Sequence, residues 1–125
     1  MKTKILVVDD DDSITRMIKL NLERTGQYEV MTQNKGSLAI KTAQNFMPDL
    51  IFLDVMMPDM EGDEIATTLQ EDDQLKNIKI VFLTAIVTRD ETANGKNEIG
   101  GFHFLAKPVS TEDLLRTIDS VLNKD

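Results

Sequence analysis

Carboxylates follow two of the apolar segments in this sequence. Residues 5–8 (ILVV) run directly into four consecutive aspartates, Asp9 to Asp12. A second apolar run, 50–53, ends at Asp54. Carboxylates repel one another and are costly to bury unpaired, so such a cluster at the end of a buried strand needs a cation. These residue types therefore predict a cation site.

Two further polar groups close apolar segments later in the chain. Thr84 lies near the end of residues 79–85, and Lys107 follows residues 102–106. Carboxylate oxygens with open positions beside them suit Mg²⁺, and a metal, a lysine and a hydroxyl can together hold a phosphoryl group. In such a set Asp54 could be the nucleophile that forms an acyl phosphate.

The elements that must position these side chains are short strand-like segments alternating with helical patterns. Apolar runs and β-prone residues predict strands over 4–9, 28–33, 49–54, 79–85 and 102–106. Apolar residues at helical spacing predict helices over 13–26, 36–46, 62–71 and 111–124. Residues 88–99, which are rich in Asn and Gly, predict a poor helix or a partial loop.

This alternation predicts one α/β domain, a doubly wound parallel sheet of five strands and five helices spanning residues 1–125. Buried strands joined by helical crossovers require a parallel sheet, and right-handed crossovers place helices on both faces. In such sheets the ligand site lies beyond the carboxyl ends of the strands. Asp9, Asp10, Asp54 and Lys107 are therefore expected to meet at one edge.

Composition and charge restrict the class of protein. The net charge of −8 and the pI near 4.6 argue against direct binding to nucleic acid, which needs a basic surface. The absence of cysteine excludes disulfides and thiolate metal sites. No apolar run is long enough for a membrane span or a signal peptide, so a cytoplasmic location is expected.

Asp11 and Asp12 require a different explanation from Asp9 and Asp10. They fall at the start of the first predicted helix, where the helix dipole favours negative charge. Asp12 or Ser13 is predicted to cap this helix, and Asp11 is expected to add negative potential to the site.

Four motifs close the strands that carry these residues. They are VVDD (7–10), FLDVMMPDMEG (52–62), FLTA (82–85) and FLAKP (104–108). In this order and at these spacings, they resemble the receiver domain of bacterial two-component response regulators, the CheY-like domain. The resemblance covers essentially the whole chain, so a single receiver domain without an output domain is expected over residues 1–125. It implies a flavodoxin-like sheet with the strand order 2-1-3-4-5.

The resemblance implies a role for each matching residue of the site. Asp54 corresponds to the phospho-acceptor. Asp9 and Asp10 correspond to the acid pair that, with Asp54, binds Mg²⁺ (Mn²⁺ is the alternative), and the backbone carbonyl of Met56 corresponds to a further ligand. Lys107 corresponds to the lysine that pairs with the phosphoryl group.

The resemblance also implies a switch. Thr84 corresponds to the hydroxyl that moves to the phosphoryl group, and Phe104 to an aromatic residue that turns inward when Thr84 moves. Ala85 matches a position kept small, and the Lys107–Pro108 bond is expected to be cis. The fourth predicted helix (88–99), the fifth strand and the fifth helix would form the surface that changes, called the output face below.

The implied partners are a histidine kinase or a histidine phosphotransfer domain as phosphodonor, and a downstream protein or output domain. The domain would catalyse its own phosphorylation without turning over an external substrate. Neither nucleic acid nor membrane is an expected direct partner.

Two features depart from the usual pattern of the family. The segment between Thr84 and Lys107 is longer than usual, and it lies on the output face. Asp59 stands where glycine is frequent, and this is expected to alter only a loop turn.

The side chains at the positions that tune loss of the phosphoryl group are Met56 and Ile86. Because neither side chain can orient water, a long-lived phospho-form is expected.

Three other functions fit parts of the pattern. A phosphatase of the haloacid dehalogenase type would want a second aspartate at position 56, where a methionine stands. A flavodoxin-like redox protein needs a phosphate loop after the first strand, and the four aspartates would repel a cofactor phosphate. An interaction module that no longer uses phosphorylation remains the main alternative, although the intact acid set argues against it.

Overall fold

The computed structural model of the protein describes residues 2–85, 98–99 and 102–122. Its elements are β1 (Thr3–Val8), α1 (Asp12–Glu23), β2 (Tyr28–Gln33), α2 (Ala39–Phe46), β3 (Leu50–Asp54), α3 (Gly62–Glu71), β4 (Lys79–Thr84), β5 (Glu98–Ile99), β6 (Phe102–Ala106) and α4 (Thr111–Leu122). A single 3₁₀ turn at Gly36–Leu38 precedes α2.

The strands form one sheet in the order β2-β1-β3-β4-β6-β5. The first five are parallel, which confirms the predicted order 2-1-3-4-5, with β6 as the predicted fifth strand and α4 as the predicted fifth helix. Residues 88–97 of the fourth predicted helix lie outside the described residues. The remaining two, Glu98 and Ile99, form an antiparallel strand on β6 instead of a helical turn. The described segments thus contain four α-helices where five were predicted.

Both faces of the sheet are buried, as the apolar strands predicted. Alternate strand residues such as Leu6, Ile51 and Phe82 pack with α2 and α3 on one face. Their neighbours, such as Val7 and Phe52, pack with α1 and α4 on the other. Because side chains alternate along a strand, a segment without a polar face contributes to both layers. Among the described residues, no helix has the length and apolar character to span a membrane.

The outer edge of β2 is protected by α1. Glu23 accepts a hydrogen bond from the backbone N–H of Val30 at 3.1 Å, and Lys19 donates one to its carbonyl at 2.7 Å. The two side chains also form an ion pair with each other. Occupying the backbone groups of an edge strand in this way opposes pairing with another chain.

Candidate functional site

The carboxyl ends of three neighbouring strands are tied together by their backbones. The N–H of Val55, directly after β3, donates to the carbonyl of Leu83 at 3.1 Å. The N–H of Lys107, directly after β6, donates to the carbonyl of Thr84 at 2.9 Å. The parallel ladder therefore continues one residue past each strand and fixes the polar residues that follow.

Three carboxylates meet at this edge, as the sequence predicted. One oxygen each from Asp9, Asp10 and Asp54 lies within 4.8 Å of the others. Asp9 is fully buried and Asp54 is 5% exposed, whereas Asp10 faces solvent. Two buried acids and one exposed acid form a cluster that is open on one side.

Lys107 bridges the two buried carboxylates. Its Nζ lies 2.7 Å from Oδ2 of Asp9 and 3.3 Å from Oδ1 of Asp54, and its side chain is 18% exposed. Burial by itself would lower the pKa of Lys107, but the close carboxylate of Asp9, together with that of Asp54, outweighs burial and raises the pKa. The bond from Lys107 to Pro108 is cis, as the resemblance implied.

The bonding of Asp9 leaves room for a further cation. Its Oδ1 accepts the N–H of Asp11 at 2.9 Å. Its Oδ2 is buried and makes no regular hydrogen bond, because the close approach of Lys107 is an ion pair without hydrogen-bond geometry. One ammonium group faces three carboxylates, so the charge is not balanced. An all-oxygen set with a buried, incompletely bonded oxygen fits a hard divalent cation such as Mg²⁺.

Burial and the neighbouring charge make Asp54 a weaker acid than usual. Removal from solvent and the carboxylate of Asp9 raise the pKa of Asp54 from 3.8 to about 6, although Lys107 acts in the opposite direction. The carboxylates of Asp9 and Asp54 therefore repel each other, and a bound cation would reduce this repulsion.

We expect Asp54→Asn to be more stable than the wild type at pH 7 without divalent metal. A carboxyl group whose pKa is higher in the folded state than in the unfolded chain destabilises the fold above both values. That cost disappears as the pH falls from about 6 to below 3.8. The gain should be about 3 kcal/mol at pH 7 and should shrink towards pH 4. Urea denaturation at both pH values measures it, and an equal gain at both would contradict the assignment.

The first helix is capped by a residue other than the two predicted. Asp11 is the N-cap, and its Oδ1 accepts the N–H of Ser13 at 2.9 Å and the hydroxyl of Ser13 at 2.6 Å. The prediction of Asp12 or Ser13 as the cap was wrong. Asp12 begins the helix and forms an exposed ion pair with Arg16. The chain turns earlier than the pattern indicated because Asp9 binds the N–H of Asp11.

The two predicted switch residues both lie inside the protein. Thr84 is 3% exposed at the end of β4, next to the site. Phe104 is 2% exposed and packs in the layer that contains α2 and α3. The ring of Phe104 is therefore buried in the structure, and its movement stays a prediction.

The structure describes some, but not all, of the residues predicted to tune the site. The side chain of Met56 is 65% exposed in the loop after β3. Ala85, at a position that the family keeps small, is exposed directly after β4. Ile86 lies outside the described residues.

Sequence reasoning missed two side chains that bind the loops of the site. The Nδ2 of Asn34 donates to the backbone carbonyl of Asp9 at 2.8 Å. Asp59 was expected to alter only a loop turn. Instead, its carboxylate accepts the N–H groups of Gly36 and Ser37, at 3.1 and 3.0 Å, 22 or more residues away in the chain. No local pattern signals either contact.

Comparison with known proteins relates this arrangement to a single family. The sequence profile of the family described as response regulator receiver domain matches residues 5–119. The chain is 37% identical, over 124 residues, to the alkaline phosphatase synthesis transcriptional regulatory protein PhoP of Bacillus subtilis. It is 36% identical, over 121 residues, to the response regulator PleD of Caulobacter vibrioides. These matches cover 99% and 97% of the chain, but only 50% and 26% of the two relatives.

Solved structures agree with this relationship. The chemotaxis protein CheY4 of Vibrio cholerae superposes with a TM-score of 0.83 at 36% identity, covering 98% of this chain and all (100%) of the other. A response regulator structure from Chloroflexus aurantiacus also gives a TM-score of 0.83, at 28% identity, and covers 99% of the chain.

Proposed function

Because the chain belongs to the response regulator receiver domain family, we propose that it takes a phosphoryl group onto Asp54 and signals through its output face. The observation that carries this proposal is the cluster of Asp9, Asp10 and Asp54 with Lys107 between the two buried acids. A purely structural ion pair would not need three acids and one base at the open end of the sheet.

The side chains of the site have distinct roles in the proposed transfer. A carboxylate oxygen of Asp54 attacks the phosphorus atom, the bond from phosphorus to the donor imidazole breaks, and its electron pair stays with the imidazole. The ammonium group of Lys107, already 3.3 Å from Asp54, stabilises the charge on the transferring oxygens.

Asp9, Asp10, Asp54 and the carbonyl of Met56 would hold Mg²⁺, or Mn²⁺ in its place. The bound ion would neutralise further negative charge on the phosphoryl group. Asp9 is fully buried and fixed by two partners, so it would hold its position, whereas the exposed Asp10 can adjust to the ion.

The response to phosphorylation would start at Thr84. This residue ends the strand next to β3 and is joined to Lys107 through the backbone, so a new charge on Asp54 acts on it at short range. Phe104 follows on the adjacent strand β6, and β6 and α4 belong to the output face. The new charge on Asp54 would thus change the position of residues in β6 and α4, and a partner would detect that change.

The proposed partners follow from this role. A histidine kinase or histidine phosphotransfer domain would supply the phosphoryl group, and a downstream protein or output domain would read the changed face. Such a protein would act in the cytoplasm as a signalling module, without turnover of an external substrate and without direct contact to nucleic acid. The curated relatives above are two or more times longer than the matched region, so the activity of any whole protein is part of the proposal.

Mass spectrometry of the intact protein with acetyl phosphate tests the proposed function. We expect the gain of one phosphoryl group in the presence of Mg²⁺ and no gain in chelator or in Asp54→Asn. Asp49→Asn is a matched control, because this exposed carboxylate binds a backbone amide at the opposite end of the sheet. If the wild type gains nothing although it binds Mg²⁺, an interaction module independent of phosphorylation is the better interpretation.

We also expect the phospho-form to be long-lived. Met56 and Ile86 offer no group that could orient a water molecule for attack on the acyl phosphate. The decay of the phosphorylated mass after removal of acetyl phosphate measures the lifetime. Met56→Asn and Ile86→Glu should shorten it, and a wild-type lifetime of only seconds would contradict the expectation.

A further inference from the structure

The turn between β2 and α2 contacts both loops that carry the candidate metal ligands. This turn, residues 34–37, is called the bridging turn. Asn34 reaches the loop after β1, which contains Asp9. Gly36 and Ser37 bind Asp59, in the loop after β3 that also contains Met56. The turn contributes no group to the site itself.

We propose that the bridging turn positions the two metal-binding loops relative to each other through the Asn34 amide and the Asp59 carboxylate, and so sets the affinity of the site for Mg²⁺. This inference rests on the proposed function for the identity of the ion. Asn34 and Asp59 are positioning residues in this scheme, because they act on ligand-bearing backbone and not on the ion.

The first contact completes the hydrogen bonding of the Asp9 backbone. The N–H of Asp9 donates to the carbonyl of Gln33 at 3.2 Å, and its carbonyl accepts from Asn34 at 2.8 Å. The same Nδ2 of Asn34 also donates to the hydroxyl of the buried Thr15 at 3.1 Å. Thr15 in turn donates to the carbonyl of Asp12 at 3.1 Å. Both ends of the four-aspartate segment are therefore connected to Asn34.

The second contact fixes the loop after β3. The two oxygens of Asp59 accept consecutive N–H groups at the start of the 3₁₀ turn, which lack partners within the turn. The hydrogen bonds from Ser37, and to a smaller extent that from Gly36, lower the pKa of Asp59. A Cβ atom on Gly36 would lie 3.0 Å from the carbonyl oxygen of Met60 and 3.1 Å from Oδ1 of Asp59. The turn and the loop thus pack backbone against backbone.

Side chains that orient the ligands of a metal strongly affect its affinity. Replacing such a partner typically weakens binding by about 10- to 100-fold. The test measures Mg²⁺ binding by calorimetry and thermal stability in parallel, for Asn34→Leu, Asp59→Ala and the double variant. Asp49→Ala is the matched control, because Asp49 likewise accepts a distant backbone N–H, that of Lys4 at 2.9 Å.

We expect Asn34→Leu and Asp59→Ala each to weaken Mg²⁺ binding by about tenfold, with Asp49→Ala unchanged. The loss in the double variant should be smaller than the product of the single losses, because either change already releases the turn. Unchanged Mg²⁺ affinity in both single variants, with normal binding by the wild type, would overturn the proposal. If Asn34→Leu fails to fold, Asn34→Ser is measured in its place, and Asp59→Asn likewise replaces Asp59→Ala.

A second measurement separates this inference from the proposed function. If the wild type binds no Mg²⁺, the metal in the proposed function fails, but the positioning role is still decided by hydrogen exchange in the metal-free protein. The N–H of Asp11, which Asp9 binds, should exchange faster in Asn34→Leu and Asp59→Ala than in Asp49→Ala. Equal exchange in all variants would overturn the positioning role.

Discussion

Lys107→Met is expected to destabilise the metal-free protein by about 3 kcal/mol. The substitution keeps the length of the side chain but removes the ammonium group 2.7 Å from Asp9 and 3.3 Å from Asp54. Asp9 would then be a fully buried carboxylate without a cation. The cost lies at the low end of the range for a broken buried ion pair, because Asp54 can take up a proton and reduce the repulsion.

Magnesium should restore part of this loss. An ion that binds only the folded state stabilises it in proportion to the logarithm of its concentration over the dissociation constant. Denaturation with and without Mg²⁺ measures both effects. Lys76→Met is the control. The Lys76 side chain forms an exposed ion pair with Asp73 at 3.4 Å, so this variant should lose less than about 1 kcal/mol. Equal losses in the two variants would contradict a strained site.

Lys107→Met also tests the proposed phosphoryl transfer. Without the ammonium group, the rate of phosphorylation by acetyl phosphate in saturating Mg²⁺ should fall by about 100-fold. Lys76→Met should keep the wild-type rate, because Lys76 lies in the segment before β4, at the other end of the sheet. A wild-type rate in Lys107→Met would remove Lys107 from the proposed mechanism while leaving its role in stability.

Gly62→Ala is expected to have an equally large effect for a steric reason. A Cβ atom at Gly62 would overlap the carbonyl oxygen of Asp54 and lie 3.0 Å from Cα of Val55. Gly62 also donates its N–H to the carbonyl of Val55 at 2.9 Å, which holds the loop closed. Because the atoms in the way are backbone, no side chain can rotate aside. We expect a loss of about 3 kcal/mol or more, which is high for one added methyl group.

Gly26→Ala is the control for Gly62→Ala. Gly26 has a φ of +79° and open space around its Cα, so alanine there meets only the cost of a left-handed backbone, about 1 kcal/mol. Denaturation compares the two variants, and phosphorylation of the folded Gly62→Ala protein should also be slower, because Asp54 must shift. If both variants lose the same stability, the start of α3 does not pack against the backbone of Asp54 closely enough to exclude a methyl group.

The chemistry of the site could be predicted from the sequence because it depends on which residues end which strands. Asp9, Asp54, Thr84 and Lys107 each follow an apolar run, and parallel strands bring their carboxyl ends to one edge. The strand order itself came from the resemblance of the four motifs, since apolar patterns alone do not specify which strands are neighbours. The sheet confirmed that order.

The exact start of a helix and the contacts between distant segments were decided only by the folded structure. Asp11 caps α1 where Asp12 was expected, because the Asp9 carboxylate fixes the turn before the helix begins. Asp59 binds amides of the bridging turn, and no periodicity or motif links positions so far apart. A sequence pattern reports which side of an element is buried. The partner that a polar group finds across the fold depends on register and loop path, which only the folded chain specifies.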